Sequence, residues 1–339
     1  MVYDAVLNHC PNHRDTDGMS YEEWLELRKG SIGGSDAGAI MKYVGEWGSP
    51  LTVFMIKKGI AKAKDMSPAA KRGKKLEPVI RDDAREDYPG LAIERVPCIL
   101  YHPEHPFMSA NLDGVVFAGS PVEVNGKTIE GLGGLEIKTS KTGYGFGADE
   151  IPDGHYCQVQ HYMAVTGLKW FVMAAYFLEN EEIGYYAIER NDDFIRGDLI
   201  PAEKAFWENH MLTGEWPAAL GIDEEESMLA GLFEGGSSLV LGEEERELCR
   251  EYAEARSRKK EAEETMDRAS TELKARLVQR QSKNGEKKIY AIAGTYSVSW
   301  TRFMRHDVDR EAMKKAGIYD QYSKVSESGQ FRITEKKGA

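Results

Sequence analysis

Apolar positions recur along the chain in two rhythms, and each change of rhythm marks an element. Residues 20–28 (Ser-Tyr-Glu-Glu-Trp-Leu-Glu-Leu-Arg) predict a short helix, with Ser20 as its cap and Glu23 completing a capping box. Residues 50–59 predict a second helix, and 71–88 a third in which Ile80, Ala84 and Tyr88 share a face. The spacing then becomes that of strands, at 91–101, 107–117, 122–124, 128–131 and 135–140, with Asn125-Gly126 as a hairpin turn. Helical spacing returns at 151–166, opened by Pro152 and ended by Gly167. Residues 169–178 and 184–189 predict strands, and 201–213 a helix that stops at Gly214-Glu215-Trp216-Pro217.

A change of composition near Gly221 sets a boundary. An acidic stretch (223–226) and a Gly-Gly-Ser-Ser stretch (235–238) read as linkers. A charge-laced helix follows over 243–283, in which Leu248, Tyr252, Ala255, Lys259, Ala262, Met266, Ala269 and Leu273 keep coiled-coil spacing. Such a helix would reach roughly 60 Å at ~1.5 Å per residue, and both oligomerisation and packing on the protein's own body are open to it. A hairpin (288–293 and 296–302), a short helix (309–316) and a last strand (330–334) complete the pattern. The expected organisation is a domain over 1–221, a linker and long helix over 222–286, and a small extension over 287–339.

Composition narrows the class. With 41% hydrophobic and 29% charged residues in 339, the chain can bury a full core. No apolar run approaches the ~20 residues that span a bilayer, and no basic start or apolar block marks a signal peptide, so a cytoplasmic protein is expected. The four cysteines lie far apart with no Cys-x-x-Cys, which suggests neither a zinc knuckle nor an iron–sulfur cluster. A net charge of −12 argues against a general coat of nucleic acid, yet Lys57, Lys58, Lys62, Lys64, Lys71, Arg72, Lys74 and Lys75 face a single acid, Asp65. That cluster is either a phosphate-binding patch or a solvated helix face.

The candidate chemistry centres on Gly133-Gly134-Leu135-Glu136-Ile137-Lys138-Thr139-Ser140 with Leu112-Asp113-Gly114 upstream. Alternation puts Glu136 and Lys138 on one face of a strand and Ile137 on the other. The glycines are expected to turn the chain sharply into that strand. If the run ending at Asp113 pairs with it, two carboxylates and a lysine meet. Two carboxylates hold a hard divalent cation, and a lysine beside them can position water and steady phosphate charge. A half-solvated strand surface would give the same alternation. Gly30-Ser31-Ile32-Gly33-Gly34-Ser35-Asp36 is a candidate phosphate cradle or simply a helix cap, with Arg28 nearby for a forked contact. Glu77 is either a surface salt-bridge partner or a third carboxylate, and Gln158 and Tyr162 lie one turn apart on one helix face.

Together these stretches resemble the YqaJ-like viral recombinase nucleases, relatives of bacteriophage lambda exonuclease in the PD-(D/E)xK superfamily. The matching pieces run in order over roughly 20–217: Arg28 with Ile32 to Ala37, Arg72-Gly73 to Pro78, Asn111 to Gly114, Leu135 to Thr139, and Gln158 to Met163. The resemblance implies an α/β fold with a central mixed sheet flanked by helices. It implies Asp113, Glu136 and the Ile137 carbonyl as metal ligands, Glu77 helping to hold a second ion, and Lys138 and Gln158 as catalytic residues. Arg28 and Ser35 would bind a 5′ phosphate, and Asn111, Tyr162, Lys74 and Lys75 would contact DNA. The implied activity is a 5′-to-3′ exonuclease on linear double-stranded DNA, using Mg²⁺ (two ions, with Mn²⁺ as a substitute). It would leave 3′ single-stranded tails for a phage-type single-strand annealing protein (RecT- or beta-like), with a homotrimer as the expected assembly and a phage or prophage in a bacterial host as the source. The alternatives are an endonuclease of the same fold and a non-catalytic DNA-binding scaffold. Residues beyond about 222 carry no assigned chemistry.

Overall fold

The structure is a computed structural model that describes residues 2–43, 48–62, 67–147, 150–234, 239–280, 288–302, 304, 307–323 and 333. The chain divides into two compact units, Met1–Glu234 and Gly235–Ala339. The first contains helices α1 (Val2–His9), α2 (Tyr21–Lys29), α3 (Gly34–Ile40), α4 (Pro50–Lys57), α5 (Pro68–Asp87) and α6 (Asp153–Thr166). After α7 (Asp192–Phe194) and α8 (Ile200–Phe206), each followed by a π-helical turn, comes α9 (Asp223–Gly231).

Its central sheet has the order β3 (Leu91–Glu94), β6 (Gly114–Val124), β7 (Lys127–Ser140), β8 (Trp170–Phe177), β9 (Glu182–Glu189). Only the β7–β8 pair is parallel. A smaller sheet joins β1 (His13–Asp15), β4 (Cys98–Tyr101), β5 (Met108–Ala110) and β2 (Ile32–Gly33), with β2 parallel to β5. The expected class, a mixed sheet flanked by helices, is what the chain adopts. Helix α5 covers one face of the central sheet, Ile80 and Ala84 packing among Leu135, Ile137, Val172 and Ala174. On the other face Cys157, Val159 and Met163 of α6 pack with Val115, Phe171 and Met173.

Several local expectations change. Residues 91–101 are two strands in two different sheets, because Pro97 lacks the N–H that a continuous ladder needs. Residues 122–124 and 128–131 are the outer ends of β6 and β7, so the hairpin extends the main strands. The acidic stretch at 223–226 is the first turn of α9, where carboxylates complement the helix dipole. Glu225 there is buried, accepts from the backbone of Leu220 and Gly221, and receives the Ser49 hydroxyl. Strand 330–334, the 235–238 linker and residues 281–283 lie outside the described residues, apart from Ile333.

Gly133 and Gly134 do not turn the chain. Both sit inside β7, where a Cβ would come within 2.3 Å of the Trp170 and Phe171 rings of β8 respectively. Their bare backbone lets two aromatic side chains lie flat across the neighbouring strand. Gly134→Ala should therefore cost about 1–3 kcal/mol of stability through overpacking against Phe171. Urea unfolding at unchanged midpoint would remove this packing account.

The second unit holds α10 (Glu243–Arg280), the hairpin of β10 (Lys288–Ala293) and β11 (Tyr296–Thr301), and α11 (Arg310–Lys315) and α12 (Tyr319–Tyr322). Among the described residues no helix is long and apolar enough to cross a membrane.

Candidate active site

The β6–β7 register sets Gly114 opposite Leu135, so Asp113, one residue earlier, meets Glu136. The Ile137 N–H donates to Asp113 Oδ2 at 2.8 Å. Leu135 and Ile137 enter the α5 core, which leaves Glu136 and Lys138 on the opposite face, as strand alternation requires. There Lys138 Nζ lies 2.5 Å from Glu136 Oε1. From α6, Gln158 Nε2 donates to the same Glu136 oxygen and to the Tyr162 hydroxyl, each at 2.8 Å. A Cβ on Gly34 would lie 2.5 Å from the Tyr162 ring, so only glycine lets α3 approach α6 this closely.

Burial governs the charges. Glu136 is 3% exposed. Desolvation, reinforced by the neighbouring Asp113 and Glu77, lifts its pKa to about 8 against the pull of Lys138. Asp113 is also raised, first by burial, with Lys138, the Ile137 N–H and Arg81 opposing. Glu77 rises to about 6, from burial and then from Asp113. The Tyr162 phenol is pushed up by burial and by Glu136 and Asp113, and stays neutral. Burial and mutual repulsion thus favour the protonated forms of Asp113, Glu136 and Glu77, and a cation beside the Asp113–Glu136 pair would favour the ionised ones.

The donor set fits such a cation. Glu136 Oε2 and Gln158 Oε1 are buried without a hydrogen-bond partner, and the carboxyls of Asp113 and Glu136 lie within hydrogen-bonding reach of each other. Carboxylate oxygens are the ligands that hard divalent ions prefer. Among the described residues, however, no three His, Cys, Asp or Glu side chains gather on one point. Glu77 lines the same cleft without joining the Asp113–Glu136 pair. Its approach depends on Gly73, one turn earlier on α5, where a Cβ would stand 2.7 Å from Thr139 Oγ1 of β7.

The cleft encloses about 740 Å³, and its far wall is built by α2 and the start of α3. Arg28 donates to the Ser35 hydroxyl at 2.5 Å and lies over the Trp24 ring, 4.6 Å from its centre. Trp24 Nε1 donates to Asn111 Oδ1 at 2.9 Å, which ties α2 to the segment before Asp113. Lys74 reaches over Tyr21 and Trp24, whereas Lys75 is exposed and does not line the cleft. Lys57 leaves the basic patch altogether. Its side chain is 6% exposed, paired with Asp36 at 2.8 Å and donating to the Arg28 and Ser31 carbonyls. Asp36, pushed up by burial, ends below the usual carboxylate range because Lys57 and Arg28 face it. Lys64 and Asp65 lie outside the described residues. The sequence reading gave no role to Trp24, Tyr21 or Arg81. Arg81 is nearly buried in the cleft wall and donates to the Asp113 carbonyl at 3.0 Å, and its helical spacing from Glu77 was the available signal.

Residues 23–169 match the YqaJ-like viral recombinase domain. The matched segment runs from within α2 to just past α6 and takes in every cleft residue named above except Tyr21, and the resemblance carried by the motifs is borne out. The uncharacterized protein YqaJ of Bacillus subtilis (strain 168) is 29% identical over 325 residues, 93% of each chain. Among solved structures, the alkaline exonuclease LHK-Exo of Laribacter hongkongensis aligns at 21% identity and a TM-score of 0.44, over 62% of this chain and 97% of its own. A phage-related exonuclease of Haemophilus somnus 129PT aligns at 12% identity and a TM-score of 0.39, over 55% and 96%.

Proposed function

We propose that the chain is a metal-dependent deoxyribonuclease that degrades one strand of linear double-stranded DNA from its 5′ end. The observation that carries this reading is the pair of adjacent carboxylates, half-buried Asp113 and buried Glu136, with Lys138 in contact and one buried Glu136 oxygen without a hydrogen-bond partner. Asp113, Glu136 and the Ile137 carbonyl would hold Mg²⁺, or Mn²⁺ in its place, and Glu77 would help hold a second ion. When bound, the metal supplies an acidified water and offsets charge on the phosphate.

The chain's own residues do the rest. Gln158 fixes one Glu136 oxygen, and the other, buried without a hydrogen-bond partner, is left for a cation. Lys138 orients the attacking water and steadies the developing phosphate charge. Arg28 and Ser35 would receive the terminal 5′ phosphate, with Asn111, Tyr162 and Lys74 along the duplex path. The product is duplex with 3′ tails, the substrate of a phage-type single-strand annealing protein, and a homotrimer around DNA is the assembly this reading favours.

The test uses end-labelled linear duplex and a covalently closed circle, with Mg²⁺ and with chelator. Degradation of the linear form alone, faster from a 5′ phosphate than from a 5′ hydroxyl, is the expected result. Arg28→Ala should lower that end preference by about 10–100-fold, the worth of a charged hydrogen-bond pair. Cutting of the closed circle would make the enzyme an endonuclease instead. Absence of Mg²⁺-dependent hydrolysis would leave a non-catalytic DNA-binding scaffold.

A further inference from the structure

The second unit carries a surface that the nuclease reading does not use. Helix α10 runs for 38 residues and none of them is buried. One of its faces nevertheless presents Leu248, Tyr252, Met266 and Leu273, between 42% and 71% exposed, at alternating four- and three-residue spacing with Ala255, Ala262 and Ala269. A helix this long gains most of its stability in water by burying such a face.

The charges beside the seam say what covers it. With Tyr252, Lys259, Met266 and Leu273 as the a positions and Leu248, Ala255, Ala262 and Ala269 as the d positions, the flanking g positions include Glu251, Arg258 and Glu272, and the e positions Arg256 and Glu263. In a parallel, in-register pair each g residue meets the e residue five places on in the other helix. Glu251 then faces Arg256, and Arg258 faces Glu263, twice each by symmetry, with no like-charged g–e pair. An antiparallel pair that sets Lys259 against Ala262 and Leu273 against Leu248 brings Glu251 onto Glu272 instead. Some charges pair within the helix, as in Arg246–Glu243, Arg250–Glu247 and Lys260–Glu264. Glu251, Arg256 and Arg258 have no ion-pair partner among the described residues. They are the groups a second helix would pair.

We propose that α10 is a self-association surface that takes α10 of a second copy of this chain, parallel and in register. Lys259 at an a position, held by Glu263 on its own helix at 3.9 Å, weakens the pair but fixes its register and limits its size, as a single polar a residue does. This assignment stands apart from the nuclease reading.

The experiment uses the full chain carrying Cys249→Ser, whose remaining cysteines Cys10, Cys98 and Cys157 are buried. Ala269→Cys places a thiol on the seam and Thr271→Cys places one on the outer face. Under mild oxidation the seam thiol should form an intermolecular disulfide at least about tenfold faster, since only facing residues meet the required geometry. Glu251→Arg should slow this cross-link, and Glu251→Arg with Arg256→Glu should restore it, which association through the first unit alone would not produce. Lys259→Leu should tighten association in sedimentation. Equal rates for Ala269→Cys and Thr271→Cys, a cross-link only when Tyr252→Cys is mixed with Ala269→Cys, or a monomeric chain would each overturn the proposal.

Discussion

Asp113→Asn and Glu136→Gln should each lower the proposed Mg²⁺-dependent hydrolysis of linear duplex by about a thousandfold or more, while the protein stays folded. The size follows from the chemistry at stake. A metal ion offsets several kcal/mol of transition-state charge, and three powers of ten correspond to about 4 kcal/mol. Glu136 is buried beside the half-buried Asp113, and Gln158 and Lys138 both contact the Glu136 carboxyl. An amide of nearly the same shape keeps the packing and removes the charge. The check is single-turnover digestion of end-labelled DNA, with circular dichroism showing native structure. Wild-type rates in both variants would take this cleft out of the reaction.

The second large effect concerns stability, and its sign is opposite to the usual one for carboxylates. Glu136 has a folded pKa of about 8, against an ordinary value of ~4.3. Below pH ~4.3 it is neutral in both states and costs nothing. As pH rises from there toward 8 the unfolded chain releases the proton and the folded one keeps it, so stability falls across that window. Asp113 shifts in the same direction. Glu136→Gln removes the Glu136 contribution. In chelator, wild type should therefore lose melting temperature relative to Glu136→Gln between pH 5 and pH 8. A tenfold difference in proton affinity is about 1.4 kcal/mol, roughly 3–5 °C for a domain of this size, and the gap should widen by at least that much. Excess Mg²⁺ or Mn²⁺ at pH 8 should close it, because binding to the folded state alone adds about 2.7 kcal/mol at a hundred times Kd. A constant gap across the pH range, or one indifferent to the cation, would contradict the coupling.

Much of the centre was legible because it depends on local rules. Alternation placed Glu136 and Lys138 together, a four-residue step placed Gln158 under Tyr162, and the Ser20–Glu23 capping box fixed the start of α2. Long-range geometry was not legible. Nothing in the spacing of Lys57 shows that its ammonium turns inward to Asp36, so it looked like one more member of a basic patch. Trp24 looked like an ordinary apolar helix position until the fold brought it against Arg28, Lys74 and Asn111. The glycines of β7 suggested a turn because sequence shows a missing side chain but not the ring that fills its place. Pro97 was a usable signal for splitting 91–101 between two sheets.

The hairpin between Asp113 and Glu136 has one further consequence. Its tip at Asn125-Gly126 lies eleven residues from Gly114 along β6, and a register irregularity between Ala118 and Val122 separates it from the Asp113–Glu136 end. Extra length spliced in at that tip costs little closure entropy and is taken up beyond the irregularity. The chain thus has a built-in attachment point, where a dye or an affinity label can ride without disturbing the Asp113–Glu136 pair at the other end of the strands.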